Sequence, residues 1–249
     1  TINAARGIAT QVNAAIMSFS NSLVLSITPP ITKQYAAGNY KKSRSLVYSG
    51  SRFSTYFIAL LGIPIILNID FVLDIWLYEV PPFTSELTIV TIISSMFYAM
   101  SQTTSAAIQA TGRIKAFQIG IAIIMLLELP FAYLALYKGL LPYWALMPAI
   151  FTNIIGFFYR TFLLSKSESE YTVGSFLRTV FLRCVIVIGI CYIVGYFINS
   201  LFPVNFVSFI ASSILVAISS SIIILLLGIN TNERTLIINY VKMILRKNS

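Results

Sequence analysis

The sequence contains no histidine, few acidic residues and only two cysteines, and these shortages limit the chemistry it can perform. Without histidine the chain lacks the commonest acid–base group and metal ligand. Its eight Asp and Glu residues are scattered, and they form neither a paired carboxylate motif nor a nucleophile–base–acid arrangement. It also has no glycine-rich phosphate loop and no Cys/His metal spacing. Neither an enzyme nor a metal site is expected.

The two cysteines, Cys184 and Cys191, lie seven residues apart within one apolar run. That spacing places them two helical turns apart, which is too far for an easy disulfide. They are predicted to be small buried apolar residues.

Charge is also scarce, because only 10% of the residues are charged while 57% are hydrophobic. The mean hydropathy of +0.85 excludes an ordinary soluble domain. Without water in a bilayer, long apolar runs must close their hydrogen bonds within helices, and the alternating segments of a β-barrel are missing here. The chain is therefore predicted to be an all-α integral membrane protein.

About seven transmembrane helices are expected, followed by a basic amphipathic tail. The predicted spans are 2–28, 46–77, 87–110, 114–137, 142–164, 177–199 and 206–229. Pro29 and Pro30 are expected to close the first span, and Pro64 to kink the second. Because the first residue is Thr rather than Met, the chain is expected to be part of a longer protein.

Lys and Arg are concentrated on one side of the predicted membrane. Fifteen of the 17 lie in or beside the turns after spans one, three, five and seven, and the other two are Arg6 and Lys138. This asymmetry predicts that residue 1 is outside and that the C-terminus is cytoplasmic. The net charge of +9 is thereby explained by topology, and no nucleic acid partner is expected.

The first span carries a narrow polar stripe that includes one charged residue, Arg6. At 100° per residue the stripe contains Asn3, Arg6, Thr10, Asn13, Ser20, Asn21 and Thr28. The opposite face is apolar, which suits a helix between lipid or protein and a water-filled cavity. Because a charge inside a membrane is costly, Arg6 is predicted to face this cavity. The alternative is that Arg6 snorkels from the helix end to the headgroups.

The third span repeats this design without a charge. Its stripe contains Thr91, Ser94, Ser95, Tyr98, Ser101, Gln102, Ser105 and Gln109. Ser and Thr are common at helix contacts in membranes, so packing explains some of them. Gln102, Gln109 and Tyr98 favour cavity lining.

Two charged residues lie within later spans. Glu128 in span four could be a protonatable coupling group. It could instead be satisfied by a backbone group beside the break at Pro130, or lie near the outer interface. In span five, Asn153, Gly156 and Arg160 share one face, and Arg160 is predicted to be a snorkelling anchor near the cytoplasm.

Four ordered blocks in the first half carry a family resemblance. They are NAARGIATQVN at 3–13, KQYAAGN at 33–39, DIWL at 74–77 followed by Val80-Pro81 and Thr84, and AIQATGRIK at 107–115. In this order and spacing they resemble Wzx-type polysaccharide (O-antigen) flippases over about residues 1–118. Later spans are similar in hydropathy and position only.

The resemblance implies membership of the multidrug/oligosaccharidyl-lipid/polysaccharide exporter superfamily, whose members typically have two six-helix lobes, often followed by two extra helices. Residues 1–165 would then form five helices of the second lobe, 166–229 the extra pair, and 230–249 the basic tail. The implied function is translocation of undecaprenyl-pyrophosphate-linked oligosaccharide across the bacterial inner (plasma) membrane by alternating access. The implied partners are this lipid, the bilayer, the missing first lobe, and polysaccharide polymerase or chain-length machinery.

The stripes suggest how such a substrate is held. Arg6 offers charge-assisted hydrogen bonds to a pyrophosphate. The predicted sugar-lining residues are Asn3, Thr10, Asn13, Asn21, Gln102 and Gln109. No cofactor is expected, and Glu128 makes H⁺ or Na⁺ the coupling ions to consider.

A cation-coupled multidrug exporter of the same superfamily is the alternative function. Glu128 favours it, whereas the excess of Arg and amides over acids in the first span counts against it. A membrane scaffold or polymer-chain enzyme would need neither polar stripe.

Overall fold

The computed structural model describes residues 2–230 and 233–235, and these form an all-α membrane protein without strands in the described part. The α-helices are α1 (Ile2–Ala36), α2 (Tyr40–Leu67), α3 (Ile69–Trp76), α4 (Thr84–Ala110), α5 (Ile114–Leu126), α6 (Glu128–Tyr137), α7 (Met147–Ser167), α8 (Val173–Phe176), α9 (Arg183–Ser200) and α10 (Phe206–Ile223). A 3₁₀ turn at Pro142–Ala145 precedes α7, and π-helical turns occur at Leu177–Leu182 and Ile224–Gly228.

Among the described residues, six helical segments are long and apolar enough to cross a membrane, one fewer than the seven predicted spans. The missing one is α4, which has 27 residues but is too polar. It packs against α1, α2 and α7, and buried residues recur along its whole length. Because its neighbours replace lipid around it, α4 tolerates Ser and Thr where a lipid-facing helix would not.

The first helix does not end at the proline pair, so that prediction was wrong. It continues through Pro29 and Pro30 to Ala36. The prolines leave the carbonyls of Leu25 and Ser26 without their usual helical donors, but both residues are exposed. In the turn that follows, the Thr32 hydroxyl donates to the Thr28 carbonyl at 2.9 Å. The helix therefore continues past both prolines.

The kink predicted at Pro64 stays a prediction, because the helix is not interrupted at this proline. Helix α2 runs through Pro64 and ends at Leu67, so that Asn68 separates it from α3. The Asn68 side-chain amide donates to the Pro64 carbonyl at 3.1 Å and stabilises this end. The fourth span is likewise interrupted, at Leu127, three residues before Pro130.

The last two membrane helices pack on each other and against α2. Their outer surfaces are apolar and exposed, as at Ile186 and Ile193. Cys184 and Cys191 are buried in this packing and are not joined to each other.

We expect both thiols to resist a maleimide dye in the folded protein and to react when it unfolds, because they are at most 1% exposed. Dye fluorescence during heating measures this directly. Rapid labelling of the native protein would contradict the packing of α9.

Two segments meet at one end of the bundle, which we call the basic end and define as residues 35–44 and 168–172. The Tyr35 hydroxyl donates to the Glu168 carboxylate at 2.6 Å, and Arg44 pairs with Glu170 at 3.4 Å. Two of the turns predicted to share one side of the membrane, those after spans one and five, are thus brought together. Most of the predicted tail, 230–249, lies outside the described residues.

Candidate functional site

The polar stripes of α1 and α4 meet on an exposed side of the bundle. The Gln102 side-chain amide donates to Oδ1 of the Asn21 side chain at 3.2 Å. This bond joins two residues 81 positions apart, each predicted independently to line a cavity. We call the surface formed by Arg6, Thr10, Asn21 and Gln102 the polar face.

The other predicted lining residues extend this face toward both ends. Asn3, Arg6 and Thr10 are exposed near the start of α1, and Gln109 is exposed near the end of α4. Asn13 is half-buried, and its carbonyl oxygen is enclosed without a partner. Ser20 departs from the prediction, because it is fully buried against the bundle. The polar face is therefore narrower in its middle than the helical angles suggest.

Carboxylates are nearly absent from the two helices that form this face. Helix α1 contains no acidic residue, and α4 contains only Glu86 in its first turn. The face presents amides, hydroxyls and one guanidinium. Such groups can replace water around sugar hydroxyls and phosphate oxygens.

Glu128 lies apart from the polar face, at the break between α5 and α6. Its carboxylate accepts a hydrogen bond from the Thr152 hydroxyl of α7 at 2.6 Å. The partner is therefore a side chain of another helix, rather than the local backbone group that the sequence suggested. The coupling role of Glu128 stays a prediction.

The interpretation of Arg160 as a snorkelling anchor was wrong. It is only 5% exposed and lies inside the bundle, with its guanidinium carbon 5.8 Å from the centre of the Phe117 ring. The sequence placed Arg160 near the membrane surface, but the packing of α7 against α4 and α5 encloses it.

A second arginine, Arg52 of α2, is fully buried near the basic end. Its Nη2 donates to Glu233 at 2.5 Å, and Ser49 also donates to this carboxylate. Burial alone would raise the pKa of Glu233, but the hydrogen bonds from Ser49 and the Asn230 N–H and the charge of Arg52 lower it below its ordinary value. Sequence reasoning counted Arg52 among the surface charges, because nothing local indicates a partner 181 residues away.

An apolar groove of about 340 Å³ lies between α2, α4 and α9. Aliphatic and aromatic side chains line it, including Ile63, Met96 and Val185, and Tyr192 contributes the one phenol. Gly189 leaves its α9 side open, since nothing lies within 4 Å of the position that a Cβ would take. The groove can hold a hydrocarbon chain.

Comparison with known proteins gives one family match. A family model described as MatE matches residues 4–134, slightly more than half of the chain. This range includes α1 without its first two residues, α2 to α5 and most of α6, and it contains all four residues that define the polar face. No curated protein and no solved structure matched the chain.

Proposed function

The chain belongs to the MatE family of membrane transporters, and we propose that it translocates a lipid-linked oligosaccharide across a bacterial inner membrane. The proposed substrate is an undecaprenyl-pyrophosphate-linked repeat unit for surface polysaccharide. Alternating access would rock these helices against a first lobe of the same transporter.

The observation that carries this proposal is the amide pair Asn21–Gln102 on a face that lacks carboxylates. A site for cationic drugs would need acidic residues to offset the charge of its substrate. Amides that bond to each other can instead exchange that bond for sugar hydroxyls, and they do so without selecting one sugar strongly. Arg6, exposed on the same face, supplies the positive charge for a phosphate group.

The apolar groove supports the lipid part of the proposed substrate. The sugars and pyrophosphate lose hydration in hydrocarbon, whereas the polyprenyl chain does not. A chain lying against α2, α4 and α9 would stay in an apolar environment throughout the movement. In the proposed orientation the basic end faces the cytoplasm, where positively charged turns are retained.

We expect Gln102→Leu and Arg6→Ala each to lower surface-polysaccharide display by about tenfold, which corresponds to about 1.4 kcal/mol of lost interaction with the translocated substrate. The measurement is display in cells that rely on the full-length protein, at matched membrane levels. Thr104→Val is the matched control, because Thr104 lies half a turn from Gln102 but is buried with its hydroxyl unpartnered. Its display should equal that of the native protein.

The outcomes separate the candidate functions. Lipid-linked repeat units trapped at the inner leaflet in Gln102→Leu support translocation. Normal display with Arg6→Ala would make Arg6 an interfacial anchor. If deletion of the whole protein left display unchanged while raising sensitivity to cationic dyes, the multidrug exporter would replace the flippase.

A further inference from the structure

Arg160 is a buried cation whose hydrogen-bonding groups are unused. The residue is 5% exposed and its Nε is enclosed without a partner. Its two Nη nitrogens donate no hydrogen bond to any described residue. A guanidinium keeps its proton in proteins, so α7 carries a permanent positive charge inside the bundle.

No carboxylate on the surrounding helices neutralises this charge. Neither α5 nor α7 contains an acidic residue, and Glu86 lies in the first turn of α4, about 18 Å along that helix from Tyr98. Glu128 of α6 is bound to Thr152, two turns and about 12 Å along α7 from Arg160. Tyr98 lies on the stretch of α4 that packs against α7, one turn after Ser94, whose hydroxyl accepts a hydrogen bond from the Asn153 side-chain amide of α7 at 2.9 Å.

The surroundings leave room for the guanidinium between α5 and α7. Gly156 lies one turn before Arg160, and a Cβ there would be 2.8 Å from Nη1, so glycine provides the space. The Phe117 ring bounds another side. Tyr98 connects this position to the polar face, because it lies one turn before Gln102 on α4.

A buried charge without a counter-charge lowers the stability of the folded protein. Binding of an anionic ligand would neutralise it. We propose that Arg160 and Tyr98 form an anion-binding site for the phosphate or pyrophosphate group of a lipid. The inference rests on the proposed function and adds a second positive position to it. Arg160 lies about 10 Å from the end of α7 at the basic end, whereas Arg6 lies near the opposite end of the bundle. During movement away from the basic end, the pyrophosphate group would meet Arg160 first and Arg6 later. Gln102 would then lie beside Arg160, where it could bind the adjoining sugar.

The test measures binding of farnesyl pyrophosphate to the purified full-length protein, with farnesol as the uncharged comparison. Arg160→Gln should weaken the binding of farnesyl pyrophosphate at least tenfold and leave the affinity for farnesol unchanged. Because the guanidinium donates no hydrogen bond to any residue that the structure describes, the same variant should keep or raise the unfolding temperature of the ligand-free protein. Arg113→Gln, which removes an exposed charge from the turn after α4, is the matched control and should bind like the native protein.

Equal affinity of the native protein and Arg160→Gln would overturn the site. If Arg160→Gln does not fold, Arg160→Lys decides, because it keeps the charge but loses the forked donor pair. A three- to tenfold loss in folded Arg160→Lys supports the proposal, and unchanged affinity overturns it. Competition by inorganic pyrophosphate assigns the site to the phosphoryl group itself, and competition only by phosphatidylglycerol vesicles assigns it to a bilayer phospholipid.

The site and the proposed function can fail separately. If the native protein binds no farnesyl pyrophosphate but polysaccharide display still depends on the protein, the Arg160 site is overturned and the flippase function stands. If binding depends on Arg160 but deletion of the protein leaves polysaccharide display unchanged, the anion-binding site stands and the flippase function is overturned.

Discussion

Glu233→Gln is expected to destabilise the protein by about 3 kcal/mol, because it leaves the charge of Arg52 buried and unpaired. Arg52 is fully buried, and its Nε and Nη1 already lack partners, so the Glu233 carboxylate is the counter-charge that it has among the described residues. The midpoint for exposure of the Cys184 thiol to a maleimide dye during heating would report the loss. Glu170→Gln breaks the half-exposed pair with Arg44 and should cost less than about 1 kcal/mol.

A second substitution distinguishes the buried charge from other effects of Glu233→Gln. Adding Arg52→Met should recover most of the lost stability, since an apolar side chain of similar length needs no counter-charge. Equal losses in Glu233→Gln and Glu170→Gln would show that the Arg52 pair is not buried as described. Because the pKa of Glu233 is lowered in the folded protein, its contribution is present above the ordinary carboxyl range and is lost as pH falls through the folded pKa. Glu233→Gln should lack this loss.

Gly50→Leu is expected to destabilise the bundle by about 3 kcal/mol, the upper range for an overpacked core. A Cβ at Gly50 would lie 2.7 Å from Thr103 Cγ2 and 3.1 Å from Ile27 Cδ1, where α1, α2 and α4 converge. Separating the helices would also strain the 2.7 Å bond between the Ser51 and Thr103 hydroxyls. The yield of monodisperse protein after detergent extraction, measured by size-exclusion chromatography, should fall steeply.

Gly7→Leu provides the control for Gly50→Leu, since nothing lies within 4 Å of a Cβ at Gly7. Its yield should match that of the native protein. Similar yields for both variants would mean that the three helices can separate at little cost.

The sequence predicted six of the seven expected membrane-crossing helices, because hydropathy is carried by neighbouring residues. It also predicted the polar face in part, since helical periodicity places Asn21 and Gln102 on stripes without reference to other helices. Ser20 was misplaced because one residue position, 100° of rotation, decides whether a side chain faces the cavity or the bundle. The environments of Arg52 and Arg160 were not predictable, because segments distant in sequence enclose them. The position of a residue within a predicted span does not show whether other helices cover it.

The proline pair in α1 shows a similar limit. Proline normally ends a helix, but Pro29 and Pro30 lie where the freed carbonyls are exposed and where Ile31 anchors the next turn in the core. Tertiary packing outweighs the local preference there.

The polarity of α4 has a consequence for how the protein is made. A segment that partitions poorly into lipid by itself should not leave the insertion machinery alone when it is synthesised. Helices α1 and α2 precede it in the chain and form much of its environment in the folded protein. Insertion of α4 is therefore expected to wait for these two partners, so that early assembly is ordered by the sequence of synthesis.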